Sequence, residues 1–154
     1  MANKITLDQI KKLREKTKAG VMDCRQALEE CSGDFQKACE WLRKKGIASA
    51  DKRTDRETQA GVVEAYVHPD SRIAAVVELA CETDFVAKNE EFKKLAHELV
   101  LQIAAMNPEN VEELLKQPWI REEKILIGDL VKETAGKLGE NIVVKRIFRC
   151  ELGK

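Results

Sequence analysis

The chain has 154 residues, of which 44% are hydrophobic and only 5% aromatic, and its 27 basic residues balance its 27 acidic ones. This length predicts one domain, or one domain with a small satellite, and the apolar content is sufficient for a hydrophobic core, which excludes a disordered chain. The apolar runs are far shorter than the roughly 20 residues that span a bilayer, and the charged N-terminal segment lacks the apolar stretch of a secretory signal, so we expect a cytoplasmic protein without a membrane partner.

The formal net charge of zero conceals a difference between two parts of the chain. Residues 1–56 contain 14 Lys or Arg and 9 Asp or Glu, whereas residues 57–154 contain 13 Lys or Arg and 18 Asp or Glu. Such a difference is typical of two surfaces of different composition. The zero total argues against a dedicated nucleic-acid binder, so we expect no direct nucleic-acid partner.

Three segments at the start of the chain show helical periodicity. Their apolar residues are Leu7, Ile10 and Leu13 in the first, Val21, Cys24, Ala27, Leu28 and Cys31 in the second, and Phe35, Ala38, Trp41 and Leu42 in the third. Thr6 or Asp8 can cap the first helix. Gly46 is expected to end the third, because a helix C-terminus favours a residue that tolerates positive φ. We therefore predict a three-helix bundle over residues 1–49 and a linker over residues 50–60.

After the linker the apolar period changes to two, which is typical of β-strands. Residues 63–68 and 72–81 alternate in this way around Pro69-Asp70-Ser71, and this pattern predicts a β-hairpin. A long helix follows, whose apolar stripe is Phe92, Leu95, Leu99, Ile103 and Met106.

The rest of the chain predicts further helices and one more strand. Asn107-Pro108 stops the long helix and can start a short one through Leu115. Another helix is expected from Arg121 to Leu138, and the β-branched residues of 141–150 predict a third strand beside the hairpin. The predicted fold class is α+β, in which the core over residues 61–154 has a small, mainly antiparallel three-stranded sheet packed with helices.

Residues that commonly perform catalysis are sparse. The chain has two histidines, and neither shows the pattern of a base beside a nucleophile. Its five cysteines form no CxxC pair, and Gly136-Lys137 lacks the spacing of a phosphate-binding loop. We expect a binding protein without enzymatic activity, metal or cofactor. Cys150, close to the C-terminus, is a candidate to pair with its copy in a second chain.

The segment from Glu78 to Asn89, between the second strand and the long helix, permits two interpretations. In one, Thr83 or Asp84 caps the helix and Phe85 packs into the core. In the other, a rigid loop presents Phe85 outward as a wedge against a partner, because its scaffold prevents it from folding back.

This segment also carries a family resemblance. Thr83-Asp84-Phe85-Val86 resembles the signature of the elongation factor Ts family, and Leu13 to Cys24 resembles the N-terminal motif of that family. The segments Gly139 to Arg146 and Phe148 to Gly153 are also similar, so that the resemblance covers nearly the whole chain. The resemblance implies that the chain is a guanine nucleotide exchange factor for elongation factor Tu. It would bind elongation factor Tu in both its GDP-bound and its nucleotide-free form.

The resemblance implies roles for particular residues. Phe85 would insert beside the switch region of elongation factor Tu and disturb the magnesium and phosphate contacts of GDP, with Asp84 as its polar partner. Further residues implied to contact the partner are Thr83 and Val86 in the exchange loop, Arg14, Val21 and Met22 in the N-terminal domain, and Leu138 and Gly139 in a core turn. Since short members of the family associate in pairs, we also expect a homodimer, formed through the sheet edge near the third strand.

Two other functions are compatible with parts of the sequence. The N-terminal bundle is similar to the ubiquitin-associated type of module, so the chain could be a peptide-binding or ubiquitin-binding adaptor. The basic first part could instead contact RNA in a translation accessory protein, although the chain has few aromatic residues for stacking on bases.

Overall fold

The computed structural model describes residues 4–154 and combines helices with antiparallel strands. In chain order its elements are α1 (Leu7–Thr17), α2 (Val21–Glu30), α3 (Phe35–Asp51), β1 (Ala60–Val67), β2 (Ile73–Cys81), α4 (Asp84–Ala87), α5 (Glu90–Met106), α6 (Val111–Lys116), β3 (Pro118–Trp119), β4 (Glu122–Leu126), α7 (Ile127–Leu138) and β5 (Val143–Glu151). The main sheet has the order β1-β2-β5, and both of its pairings are antiparallel. The predicted α+β class, the hairpin and the third strand are therefore confirmed.

The first helix starts where the sequence predicted. The Thr6 hydroxyl accepts a hydrogen bond from the Gln9 amide, and the Gln9 side chain accepts one from the Thr6 amide, which forms a capping box. Ile10 and Leu13 are buried, but the expectation that Leu7 shares their face is wrong, because Leu7 is 76% exposed. At 3.6 residues per turn, positions six apart point about 120° away from each other, so a spacing of three does not keep Leu7 with Leu13.

The predicted end of α3 at Gly46 is also wrong, because the helix continues to Asp51. Gly46 lies inside the helix and faces Gly136 of α7, where a Cβ placed on Gly136 would be 2.4 Å from the Gly46 carbonyl oxygen. The missing Cβ of Gly136 therefore permits a close helix contact, and Gly46 does not provide a positive φ.

The two halves of α3 belong to different packed clusters. Leu42 is buried in the bundle with Leu13 and Leu28, whereas Ala50, in the segment expected to be a linker, is buried in the main core. Ion pairs from Arg43 to Glu133 at 3.3 Å and from Lys132 to Asp51 at 2.9 Å join α3 to α7. The division into domains at residue 50 stays a prediction, but α3 is shared between both parts.

Helix α5 covers one face of the main sheet. Its predicted stripe is buried from Phe92 to Ile103, together with Val77 and Leu79 of β2, while Met106 at the end of the stripe is half-exposed. This arrangement confirms the long helix.

The expected helix from Arg121 is wrong in its first part, since residues 122–126 form β4 and α7 begins only at Ile127. The cause is a contact with α5. The side chain of Gln102 is fully buried; it donates a hydrogen bond to the Pro118 carbonyl at 3.1 Å and accepts one from the Ile120 amide at 3.0 Å. These bonds hold the β3–β4 turn in place, and satisfying a buried amide outweighs the weak local preference for helix.

Candidate protein-docking site

The connection from β2 to α5 is a single helical turn that presents Phe85 to solvent. Thr83 caps this turn, since its hydroxyl oxygen accepts a hydrogen bond from the Val86 amide at 3.5 Å. Val86 packs against the core and Ala87 is buried, while the Phe85 side chain is 89% exposed. The outward direction of Phe85 agrees with the second interpretation. The first is wrong, because Thr83 caps only the short α4, whereas the long helix α5 is capped by Asn89, whose side chain accepts a hydrogen bond from the Glu91 amide at 2.8 Å.

Residues 82 and 83 are held by the segment that follows α7. The amides of Glu82 and Thr83 both donate hydrogen bonds to Oε2 of Glu140, each at 2.9 Å, and the Thr83 hydroxyl donates to Oε1. In the opposite direction, the Asn141 amide donates to Oε1 of Glu82 at 2.7 Å. The local sequence pattern does not mark Glu82, Glu140 or Asn141 as site residues, because nothing in it indicates a pairing across 58 positions.

The buried thiol of Cys81 is hydrogen-bonded to the backbone of the same loop. Cys81 Sγ donates a hydrogen bond to the carbonyl oxygen of Thr83 at 3.2 Å. Burial, and secondarily the negative charge of Glu140, raises the pKa of the Cys81 thiol to about 11. The thiol therefore remains protonated and able to donate throughout the neutral pH range.

The core turn at Leu138 and Gly139 lies directly before Glu140. Gly139 ends α7 in the left-handed region at φ 72°, and its amide donates to the Ala135 carbonyl at 2.9 Å. Leu138 packs against the core, while Gly139 is exposed. The structure thus brings the core turn next to the loop of Thr83 to Val86, two sites that lie far apart in the sequence.

The predicted N-terminal site residues are all exposed on the helical bundle. Met22 is 73% exposed, and Val21, which precedes it at the start of α2, is about half exposed. Arg14 on α1 is also exposed. Within residues 4–154, no hydrogen bond or ion pair joins these three side chains to the loop of Thr83 to Val86. They are available to a partner, but only as a second contact area.

The main sheet has apolar side chains on the face opposite α5. Val63 and Val67 of β1 and Phe148 of β5 are all exposed. Cys150 lies on the same strand as Phe148, opposite Ala74 of β2, and its thiol is free and exposed. These residues form an exposed apolar area that β5 borders as an edge strand.

Other parts of the described chain offer no alternative site of comparable definition. Across residues 4–154 there is no group of three or more His, Cys, Asp or Glu side chains that could hold a metal ion. A cavity of about 740 Å³ lies between α5, α7 and β4, and none of its lining residues belongs to the loop of Thr83 to Val86 or to the core turn. Several of its charged residues pair with one another, as in the 2.6 Å bond from Arg121 to Glu98. No helix in the described part is long and apolar enough to cross a membrane.

Comparison with known proteins points to one family. The family model for elongation factor Ts matches residues 82–154. The elongation factor Ts of Oleidesulfovibrio alaskensis is 41% identical over 97% of this chain and 98% of its own length. The elongation factor Ts of Herpetosiphon aurantiacus is 39% identical over 97% of this chain and 98% of its own length. The elongation factor Ts of Carboxydothermus hydrogenoformans is 41% identical over 97% of this chain and 90% of its own length. The first of these alignments extends over 194 positions, so this relative has residues without a counterpart among the 154 of this chain.

Proposed function

The chain belongs to the elongation factor Ts family of translation elongation factors, and we propose that it is a guanine nucleotide exchange factor that binds elongation factor Tu. It binds the GDP-bound form, promotes release of GDP and then holds the nucleotide-free form, in the cytoplasm and without catalytic chemistry of its own. The observation that carries this proposal is the exposure of Phe85, 89% accessible on a turn fixed at both ends.

Phe85 acts as the wedge, and Asp84 beside it supplies a polar contact. An aromatic side chain that is exposed in the free protein gains roughly 1.5–3 kcal/mol when a partner buries it. Weakening nucleotide binding by about 10⁴ requires roughly 5.5 kcal/mol of coupling. Other contacts must therefore supply the remainder.

Two further areas are suited to provide it. The core turn at Leu138 and Gly139 lies next to the loop, so the same partner surface can contact both. Arg14, Val21 and Met22 provide a second area on the N-terminal bundle, where Met22 offers an exposed, flexible apolar side chain. In this mechanism Thr83 and Val86 hold the turn on which Phe85 is presented.

The test is the release of fluorescent GDP from purified elongation factor Tu, followed in a stopped-flow fluorimeter. We expect the intact protein to accelerate release, and excess nucleotide with magnesium to dissociate the complex, because coupling between two ligands is reciprocal. Release at the uncatalysed rate would contradict the proposal. Capture of a ubiquitin-like protein, or salt-sensitive RNA binding without any effect on release, would favour one of the two other functions instead.

We further propose that the protein is a homodimer formed through the β5 side of the main sheet. An edge strand that carries an exposed apolar residue, Phe148, favours coverage by a second copy. Cys150 then lies close to the interface. Light scattering is expected to give twice the monomer mass with and without reductant, since apolar burial and not a disulfide holds the pair. A monomer at micromolar concentration would contradict this.

A further inference from the structure

Two carboxylates connect the exchange loop to the core turn in opposite directions. Glu140, which follows the core turn, accepts three hydrogen bonds from the loop: two from the backbone amides of Glu82 and Thr83 and one from the Thr83 hydroxyl. Glu82, which precedes the loop, accepts the amide of Asn141. Both side chains thus bond to the backbone of the opposite segment, and we refer to Glu82 and Glu140 together as the carboxylate clamp.

The clamp is also joined to the segment that follows α3. The Asn141 side chain is 6% exposed, and its Nδ2 donates hydrogen bonds to the carbonyl oxygens of Arg56 at 2.8 Å and Thr54 at 3.4 Å. The guanidinium Nη1 of Arg56 also lies 3.6 Å from Oε1 of Glu82. The chain leaving the N-terminal bundle, the core turn and the exchange loop therefore meet at one point.

Phe85 lacks extensive packing within its own chain, so its direction depends on the backbone that precedes it. Thr83 is the cap from which α4 starts, and Glu140 bonds to both its amide and its hydroxyl. Charge-assisted hydrogen bonds from backbone amides to a carboxylate are among the strongest in proteins. Losing them would allow the turn to change its orientation while the buried Ala87 kept the loop attached to the core.

We propose that Glu140 is a positioning residue of the exchange loop, supported by Glu82 as the second half of the carboxylate clamp. This inference rests on the proposed exchange function. It extends that function by naming the groups that fix the orientation of Phe85. Glu140 does not contact the partner in this proposal; it acts through Thr83 and Phe85.

Amide hydrogen exchange measured by NMR tests the clamp without any partner. Gln at position 140 has nearly the same shape, but one of its two oxygens is replaced by a donor NH₂ group. The remaining oxygen of Gln is uncharged, so in Glu140→Gln the amides of Glu82 and Thr83 are expected to exchange about tenfold faster, as for the loss of charge assistance. In Glu82→Gln the amide of Asn141 is expected to show the corresponding change. Glu123→Gln, an exposed glutamate on β4, is the matched control and leaves all three amides unchanged.

The effect on function is measured as the GDP release rate at increasing concentrations of the exchange factor. Glu140→Gln is expected to lower the maximal rate about tenfold, since small misplacements of an acting group reduce rates strongly. The half-saturating concentration should change less than twofold, because the N-terminal contact area is intact. In a Phe85→Ala background, Glu140→Gln should have no further effect, whereas a general loss of folding would reduce the rate again.

The outcomes separate this inference from the proposed function. If the parent protein does not accelerate release, the exchange function fails, whatever the amides show. If the parent is active and Glu140→Gln leaves the amides protected, or exposes them without changing the maximal rate, the positioning role is overturned. Should Glu140→Gln fail to fold, Glu82→Gln supplies the same test: it must expose the Asn141 amide and lower the maximal rate, and otherwise the inference is wrong.

Discussion

Replacing Phe85 with alanine is expected to slow the accelerated release of GDP by roughly ten- to a hundred-fold, the equivalent of the 1.5–3 kcal/mol gained by burying one such side chain. The parent and the variant are compared in the stopped-flow assay at equal concentration. Because the ring is 89% exposed, its removal leaves the internal packing intact, and the thermal unfolding midpoint should not change.

Two further variants make this result specific. Phe85→Leu keeps an apolar side chain of smaller volume and should give an intermediate rate. Ile120→Ala removes an exposed apolar side chain from the β3–β4 turn, outside the predicted docking residues. This variant should accelerate the release of GDP from elongation factor Tu as much as the parent does. A Phe85→Ala variant as active as the parent would leave the family membership standing and eliminate the wedge mechanism.

Replacing Gly136 with alanine is expected to destabilise the protein by about 2 kcal/mol, within the usual range for overpacking. The new Cβ would lie 2.4 Å from the carbonyl oxygen of Gly46 and 2.6 Å from its Cα, and both are backbone atoms. They cannot move away as a flexible side chain can, so α3 and α7 must separate. The free energy of unfolding, measured by urea denaturation, gives the size of the effect.

Gly46→Ala is the matched control for this contact. A Cβ at that position would meet its nearest heavy atom, the Glu133 carbonyl oxygen, at 3.8 Å, an ordinary contact distance. Alanine is also favoured over glycine in a helix by about 1 kcal/mol, so this variant should be neutral or slightly stabilising. Equal effects of the two variants would show that the helices do not approach as closely as described.

In the proposed function, the contact between α3 and α7 also contributes to exchange. It attaches the bundle, with its exposed Met22, to the same core that carries Phe85. Because the two contact areas belong to one packed unit, their relative orientation is already fixed in the free protein. This reduces the entropic cost of binding a partner. Gly136→Ala is therefore expected to weaken binding of the partner even under conditions in which the protein remains folded.

The sequence by itself determined the elements whose signals are local. The helical period of α2 and α5, the period of two in the hairpin, the Thr6 cap and the glycine that ends α7 all depend on neighbours within a few positions. Such spacing is written directly in the chain. The signature Thr83 to Val86 likewise indicates the family from the sequence alone, and the relatives agree with it.

Only the tertiary structure decided the features that depend on distant partners. Gly46 was expected to end a helix, but it faces Gly136 ninety positions later and stays inside α3. Residues 122–126 form a strand because the buried Gln102 fixes the turn before them. The Thr83 amide, at the start of the turn that carries Phe85, is bonded to Glu140, 57 positions later. Sequence spacing reports which residues share a face of one element, whereas hydrogen bonds and close contacts between elements exist only after the chain has packed.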